Sequence, residues 1–173
     1  MNKLGTLGGW AIQESCYNFI KSILPEGSTI LELGSGLGTG YLSQHYTMYS
    51  IENYHEWIDK YKSTYIHAPI KMYDSEWTAP ELPGEHGLLQ QGWYDPTMLI
   101  GNLPDKYDLI LVDGPNGTFG RGGFLKHLEL FNTNVPIVFD DVNRDPERQL
   151  MIKVSEALNK KYEFVDRFTG YIL

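Results

Sequence analysis

TILELGSGLGTGYLSQ, residues 29–44, joins a short apolar run to an acid and four alternating glycines, Gly34, Gly36, Gly38 and Gly40. A buried strand or an ordinary helix carries side chains at such positions, so 29–33 reads as a strand that ends in a turn. Backbone without Cβ turns sharply and lets another group lie against it. A helix is expected to begin near Thr39, its free N–H groups facing the same crevice. In an open parallel sheet, that crevice lies beyond the carboxyl ends of the strands where strand order reverses, and ligands bind there.

The flanking sequence supplies such a sheet. GGWAIQESCYNFIKSIL sets Trp10, Cys16, Tyr17, Ile20 and Leu24 at helical spacing, and Pro25 with Gly27 stops the helix. TMYSIEN reads as a second strand, YHEWIDKYKST as a helix, and YIHAPIKMY as a third strand with Pro69 at an edge or bulge. YDLILVDG and VPIVFDD are continuous apolar runs, as expected of strands covered on both faces. DPERQLMIKVSEALNKK is a helix with Asp145 as N-cap and Pro146 at its first position. YEFVDRF and GYIL form an antiparallel hairpin at one sheet edge. Strands alternating with helices predict an open, doubly wound, mostly parallel α/β sheet with helices on both faces. The expected organisation is a single domain, 1–173, with an N-terminal helical segment over 1–28. An irregular insertion rich in Gly, Pro and Trp covers 74–105 on the substrate side.

Composition narrows the class. The 173 residues suffice for one core, and 42% hydrophobic with 21% charged content is ordinary for a folded domain. The single cysteine, Cys16, excludes an internal disulfide framework. No apolar run approaches the roughly 20 residues of a membrane span, and the N-terminus has no signal-peptide core. The expectation is a cytoplasmic protein without a membrane partner. A net charge of −8, with 14 basic residues scattered among 22 acidic ones, argues against a nucleic-acid partner. A small molecule or neutral glycan fits better.

The turn itself chooses between cofactors. Dinucleotide sites place G-x-G-x-x-G on the pyrophosphate, but counting from Gly34 gives Gly36 and then Thr39. Glu32 stands two places before Gly34, where it would repel a diphosphate and accept an ammonium group. S-adenosylmethionine has an amino-acid headgroup and a sulfonium, and no phosphate. Glu52 ends the second strand 18 positions after Gly34, placed to accept both hydroxyls of an adenosine ribose, with Asn53 beside it.

ILELGSGLGTG, YSIEN, LILVDGPNG and IVFDDVNR, in that order, resemble the successive motifs of class I S-adenosylmethionine-dependent methyltransferases. The resemblance covers essentially the whole chain. It implies a seven-stranded sheet whose last two strands form the edge hairpin. By position it implies Glu32, Gly34, Ser35, Gly36 and Gly38 along the methionine portion, with Asp113 beside them. Glu52 falls on the ribose, and Asn53 and Tyr73 near the adenine.

On the acceptor side, Asp113 ends the fourth strand and Asp140 and Asp141 end the fifth, so all are expected at one edge of the sheet. Three hard oxygen ligands suit Mg²⁺ or Ca²⁺, a layout similar to metal-dependent O-methyltransferases of catechols and macrolide sugars. Without a metal, Asp113 or Asp140 is the candidate base. Trp93, Tyr94 and Asp95 are expected to wall the acceptor, and Arg121 to meet an anionic group on it, with His127 nearby. The leading expectation is O-methylation of a small molecule or glycan. A non-catalytic cofactor-binding or assembly module of the same fold is the alternative, and a nicotinamide-dependent oxidoreductase a weaker one. The apolar edge hairpin permits a homodimer.

Overall fold

A computed structural model describes residues 11–173. Trp10, expected on the first helix, lies outside them. Helix α1 (Glu14–Ile23) buries Cys16 and Ile20, one turn apart, and leads into strand β1 (Thr29–Leu33). Helix α2 (Leu37–Leu42) follows the glycine turn, two residues earlier than expected. Strands β2 (Thr47–Glu52) and β3 (Thr64–His67) complete one half of the sheet.

The other half begins after a small antiparallel ribbon of β4 (Ile70–Met72) and β5 (Gly92–Tyr94). It comprises β6 (Leu109–Val112), α3 (Gly123–Lys126), β7 (Ile137–Phe139), α4 (Asp145–Leu158), β8 (Tyr162–Phe164) and β9 (Gly170–Ile172). The main sheet has seven strands in the order β3-β2-β1-β6-β7-β9-β8, parallel except where β9 joins β7 and β8. Strand order reverses between β1 and β6, which pair with Leu33 opposite Val112.

Alternation along β6 explains both layers. Leu109 and Leu111 join Cys16, Ile20 and Leu42 under α1 and α2. Ile110 and Val112 join Phe124, Leu150, Met151 and Val154 under α3 and α4. Strands β6 and β7 are therefore apolar on both faces, as their uninterrupted composition required.

Several local expectations are corrected. The segment 54–64 is not a helix: it makes one 3₁₀ turn, His55–Trp57, and Asp59 then takes a positive φ of 60°, which leaves the helical path. The run YIHAPIKMY is two strands, because the chain leaves the main sheet at Ala68-Pro69 and Ile70–Met72 pairs with Gly92–Tyr94 instead. GWY is thus a buried strand inside a segment expected to be irregular. At α4 the N-cap is Arg144, not Asp145, and Pro146 lies within the first turn.

Candidate functional site

A cavity of about 620 Å³ opens at the carboxyl ends of β1, β2, β6 and β7, astride the reversal of strand order. Among the described residues its lining includes Gly34 and Ser35 after β1, Glu52 and Asn53 at the end of β2, and Tyr94 from β5. Asp113 and Gly114 after β6, Arg121, and Asp140 and Asp141 after β7 complete the wall. The sequence-expected carboxylates of three strand ends therefore meet at one crevice.

The glycine turn is shaped by the protein itself. Gly34 has φ of 91°, and a Cβ there would come within 2.9 Å of the Cα of Gly114. A Cβ on Gly38 would meet the side chain of Ile12 at 3.1 Å, so this glycine packs α2 against the segment before α1 and does not line the cavity. Gly36 is the N-cap of α2 and likewise stands off the lining.

Glu32 departs furthest from expectation. It is 1% exposed, and both carboxyl oxygens accept from the Thr39 hydroxyl, at 2.6 and 2.8 Å. The same Thr39 Oγ1 accepts from the N–H of Gly36, so Glu32 braces the turn from below. Burial lifts its carboxyl from 4.5 to about 8, against the pull of the Thr39 bond. It offers nothing to an ammonium group in the cavity.

Glu52, at the end of β2, lines the cavity. Its carboxylate takes the backbone N–H groups of Ser35, Asn53 and Tyr54 at 2.8, 2.7 and 2.7 Å, which lock it at the rim. Burial raises its pKa while those three bonds oppose the rise. The group is held by three backbone bonds and still lines the cavity.

One oxygen each of Asp113, Asp140 and Asp141 lies within 4.8 Å of the others, so the expected cluster forms. Its cation position is already taken. Arg121, 5% exposed, donates from Nη2 to Asp141 Oδ2 at 2.9 Å and pairs with Asp113 Oδ1 at 3.4 Å. Its Nη1 reaches the Asp140 carbonyl at 3.1 Å, and its Nε the Pro115 carbonyl at 3.2 Å. Arg144 adds a contact to Asp141 Oδ1 at 3.2 Å. Two guanidinium groups thus answer two of the three carboxylates, and a divalent ion does not fit beside them. These bonds also remove Arg121 as a free receptor for an anionic acceptor.

Asp140 is left apart. It is buried, lines the cavity, and its Oδ1 has no hydrogen-bond partner. Burial, reinforced by Asp113 and Asp141, raises its pKa well above the usual carboxylate range. Asp113 is lifted to about 7 by burial, against the pull of Arg121. Tyr94 Oη is the second buried polar atom at this cavity without a partner.

The remaining acceptor-side expectations divide. Tyr94 lines the cavity, but Trp93 points the other way: it is fully buried and stacks on His127 at 5.5 Å, so it is core. His127 in turn accepts from Trp77 Nε1 at 3.2 Å. Asp95 is not in the lining; it accepts from the Thr97 N–H and hydroxyl at 3.0 and 2.8 Å. Tyr73, one residue past β4, packs tilted against Trp77 with ring centroids 4.4 Å apart and is not part of the cavity lining that holds Asn53. Trp57, Lys60 and Glu85 line the cavity unforeseen. Trp57 carries the Lys60 ammonium over its ring at 3.9 Å, and its aromatic character beside Glu52 was the one available signal.

The sheet order and the crevice at its reversal define a Rossmann-like methyltransferase fold. Solved structures similar in fold to this chain include two described as methyltransferases. A TehB-like S-adenosylmethionine-dependent methyltransferase from Corynebacterium glutamicum is 14% identical, with TM-score 0.51 over 91% of this chain and 85% of that one. A domain assigned as precorrin-6Y C5,15-methyltransferase from Corynebacterium diphtheriae is 11% identical, with TM-score 0.51 over 92% and 93%. At such identities the likeness is one of fold. No protein-family model and no curated protein sequence matches the chain.

Proposed function

We propose that this chain is an S-adenosylmethionine-dependent methyltransferase acting on a hydroxyl oxygen of a small molecule or glycan. The observation that carries the reading is one cavity, at the strand-order reversal, lined by the locked carboxylate of Glu52 and the unpartnered carboxylate of Asp140. The residues fit the donor, which supplies a methyl group already activated on sulfonium. Glu52 accepts from the ribose hydroxyls, Asn53 borders the adenine, and the backbone of Gly34 and Ser35 lies along the methionine portion. Asp113, rather than the hidden Glu32, is the carboxylate placed for the ammonium group.

Asp140 takes the proton that the acceptor oxygen gives up, and its raised pKa makes it a stronger base than an exposed carboxylate. The acidic lining and the net charge of −8 support a neutral or cationic acceptor over a nucleic acid.

Calorimetric titration tests the donor: S-adenosylhomocysteine binds and NAD⁺ does not, and the reverse overturns the reading. Glu52→Gln weakens that binding by roughly 10-fold or more, as expected when hydrogen bonds to a charged group are lost. Transfer of labelled methyl to cell extracts tests the chemistry. Asp140→Asn lowers kcat about 10²- to 10⁴-fold with S-adenosylhomocysteine affinity retained. Binding without any turnover would favour a non-catalytic module.

A further inference from the structure

Asp113, Asp140 and Asp141 gather hard oxygens from two adjacent strand ends, and such a cluster requires a positive partner. We propose that Arg121 is the resident cation of this site, standing where a divalent ion would otherwise sit, so that the chain binds no Mg²⁺ or Ca²⁺ there. The consequence that methyl transfer needs no metal rests on the function proposed above; occupancy of the cation position does not.

The guanidinium touches all three residues, through the side chains of Asp113 and Asp141 and the carbonyl of Asp140. It is also built in. Its backbone is pinned by the N–H of Gly122, which donates to buried Gln90 Oε1 at 3.0 Å, while Gln90 Nε2 donates to the Pro83 carbonyl at 2.8 Å. Glu147, buried in the first turn of α4, adds a further carboxyl whose charge acts on Arg121. Guanidinium is suited to this place because it is always charged and its fork serves several oxygens at once. Arg144 covers the remaining oxygen of Asp141. What the pairing leaves open at the cavity is Asp140 Oδ1, a lone acceptor suited to one proton or one monovalent cationic group.

Tyr- and Trp-sensitised Tb³⁺ luminescence, with Ca²⁺ and Mg²⁺ competition, reads the cation position directly in the intact chain. The wild type is expected to show no saturable one-to-one site tighter than about 1 mM, the weak end of protein Ca²⁺ sites. Arg121→Ala should bind at least 10-fold more tightly, and adding Asp140→Asn should abolish the gain. Arg121→Gln, whose amide nitrogen falls at the position of Nε and can donate to the Pro115 carbonyl, replaces the alanine variant if that fails to fold. A wild-type site tighter than about 1 mM that Asp140→Asn removes overturns the proposal. So does a folded Arg121 variant with no gain in affinity. A chain that fails to bind S-adenosylhomocysteine would count against the proposed function and leave these readouts intact.

Discussion

A carboxyl group sealed from water and bonded by one hydroxyl keeps its proton, and Glu32 is in that position. Its pKa of about 8 in the folded chain lies above the ordinary 4.5, so the folded state binds the proton more tightly. The stability this contributes is fully present below pH 4.5 and is lost as pH rises through about 8. Thermal melts across that window should show a fall in melting temperature for the wild type and a flatter profile for Glu32→Gln, which still accepts from Thr39. An unchanged profile would refute the assignment. The sequence spacing led to a turn that lines the cavity, but the acid expected to face that cavity is buried beneath the turn. The corrective clue was period two: Glu32 shares a face with Ile30, which packs under α2, so its carboxyl meets Thr39 and not the crevice. Asp113 and Glu52, at the strand ends, escape that rule because they stand where the sheet stops.

Among the elements, β6 and β7 were readable because burial on both faces leaves them no polar positions. The pieces that misled were those whose partners are distant in sequence. Nothing local to Trp93 tells that Lys71 will lie opposite it, or that His127 will stack on its ring. Its burial makes Trp93→Ala expensive: denaturant unfolding should show a loss of about 3–5 kcal/mol. A loss under about 1 kcal/mol would instead return Trp93 to the surface. The segment 54–64 failed as a helix for a related reason. Glu52 binds the N–H groups of Asn53 and Tyr54, and Asp59 takes a left-handed turn, so only one 3₁₀ turn fits before β3. That truncation brings Trp57 and Lys60 to the cavity rim.

For the molecule as a whole, the mostly parallel sheet with its final hairpin was legible because strands alternating with helices imply that architecture. The polar interior of the crevice was not, since which carboxylates are sequestered depends on Arg121 and Arg144 arriving from separate loops. A ligand that enters this crevice binds only the folded chain. S-adenosylhomocysteine at about 100 times its Kd should therefore stabilise the protein by about 2.7 kcal/mol, read as a rise in melting temperature. A temperature that stays fixed at saturating ligand would contradict binding. Between β1 and β6 the two loops bearing Gly34 and Gly114 approach with nothing interposed, and a Cβ on Gly114 would fall within 2.7 Å of the Gly34 Cα. The seam is a hinge with no slack: any atom added to one bank must be matched by retreat of the other. A bulkier residue at either position would therefore force the two banks of the crevice apart.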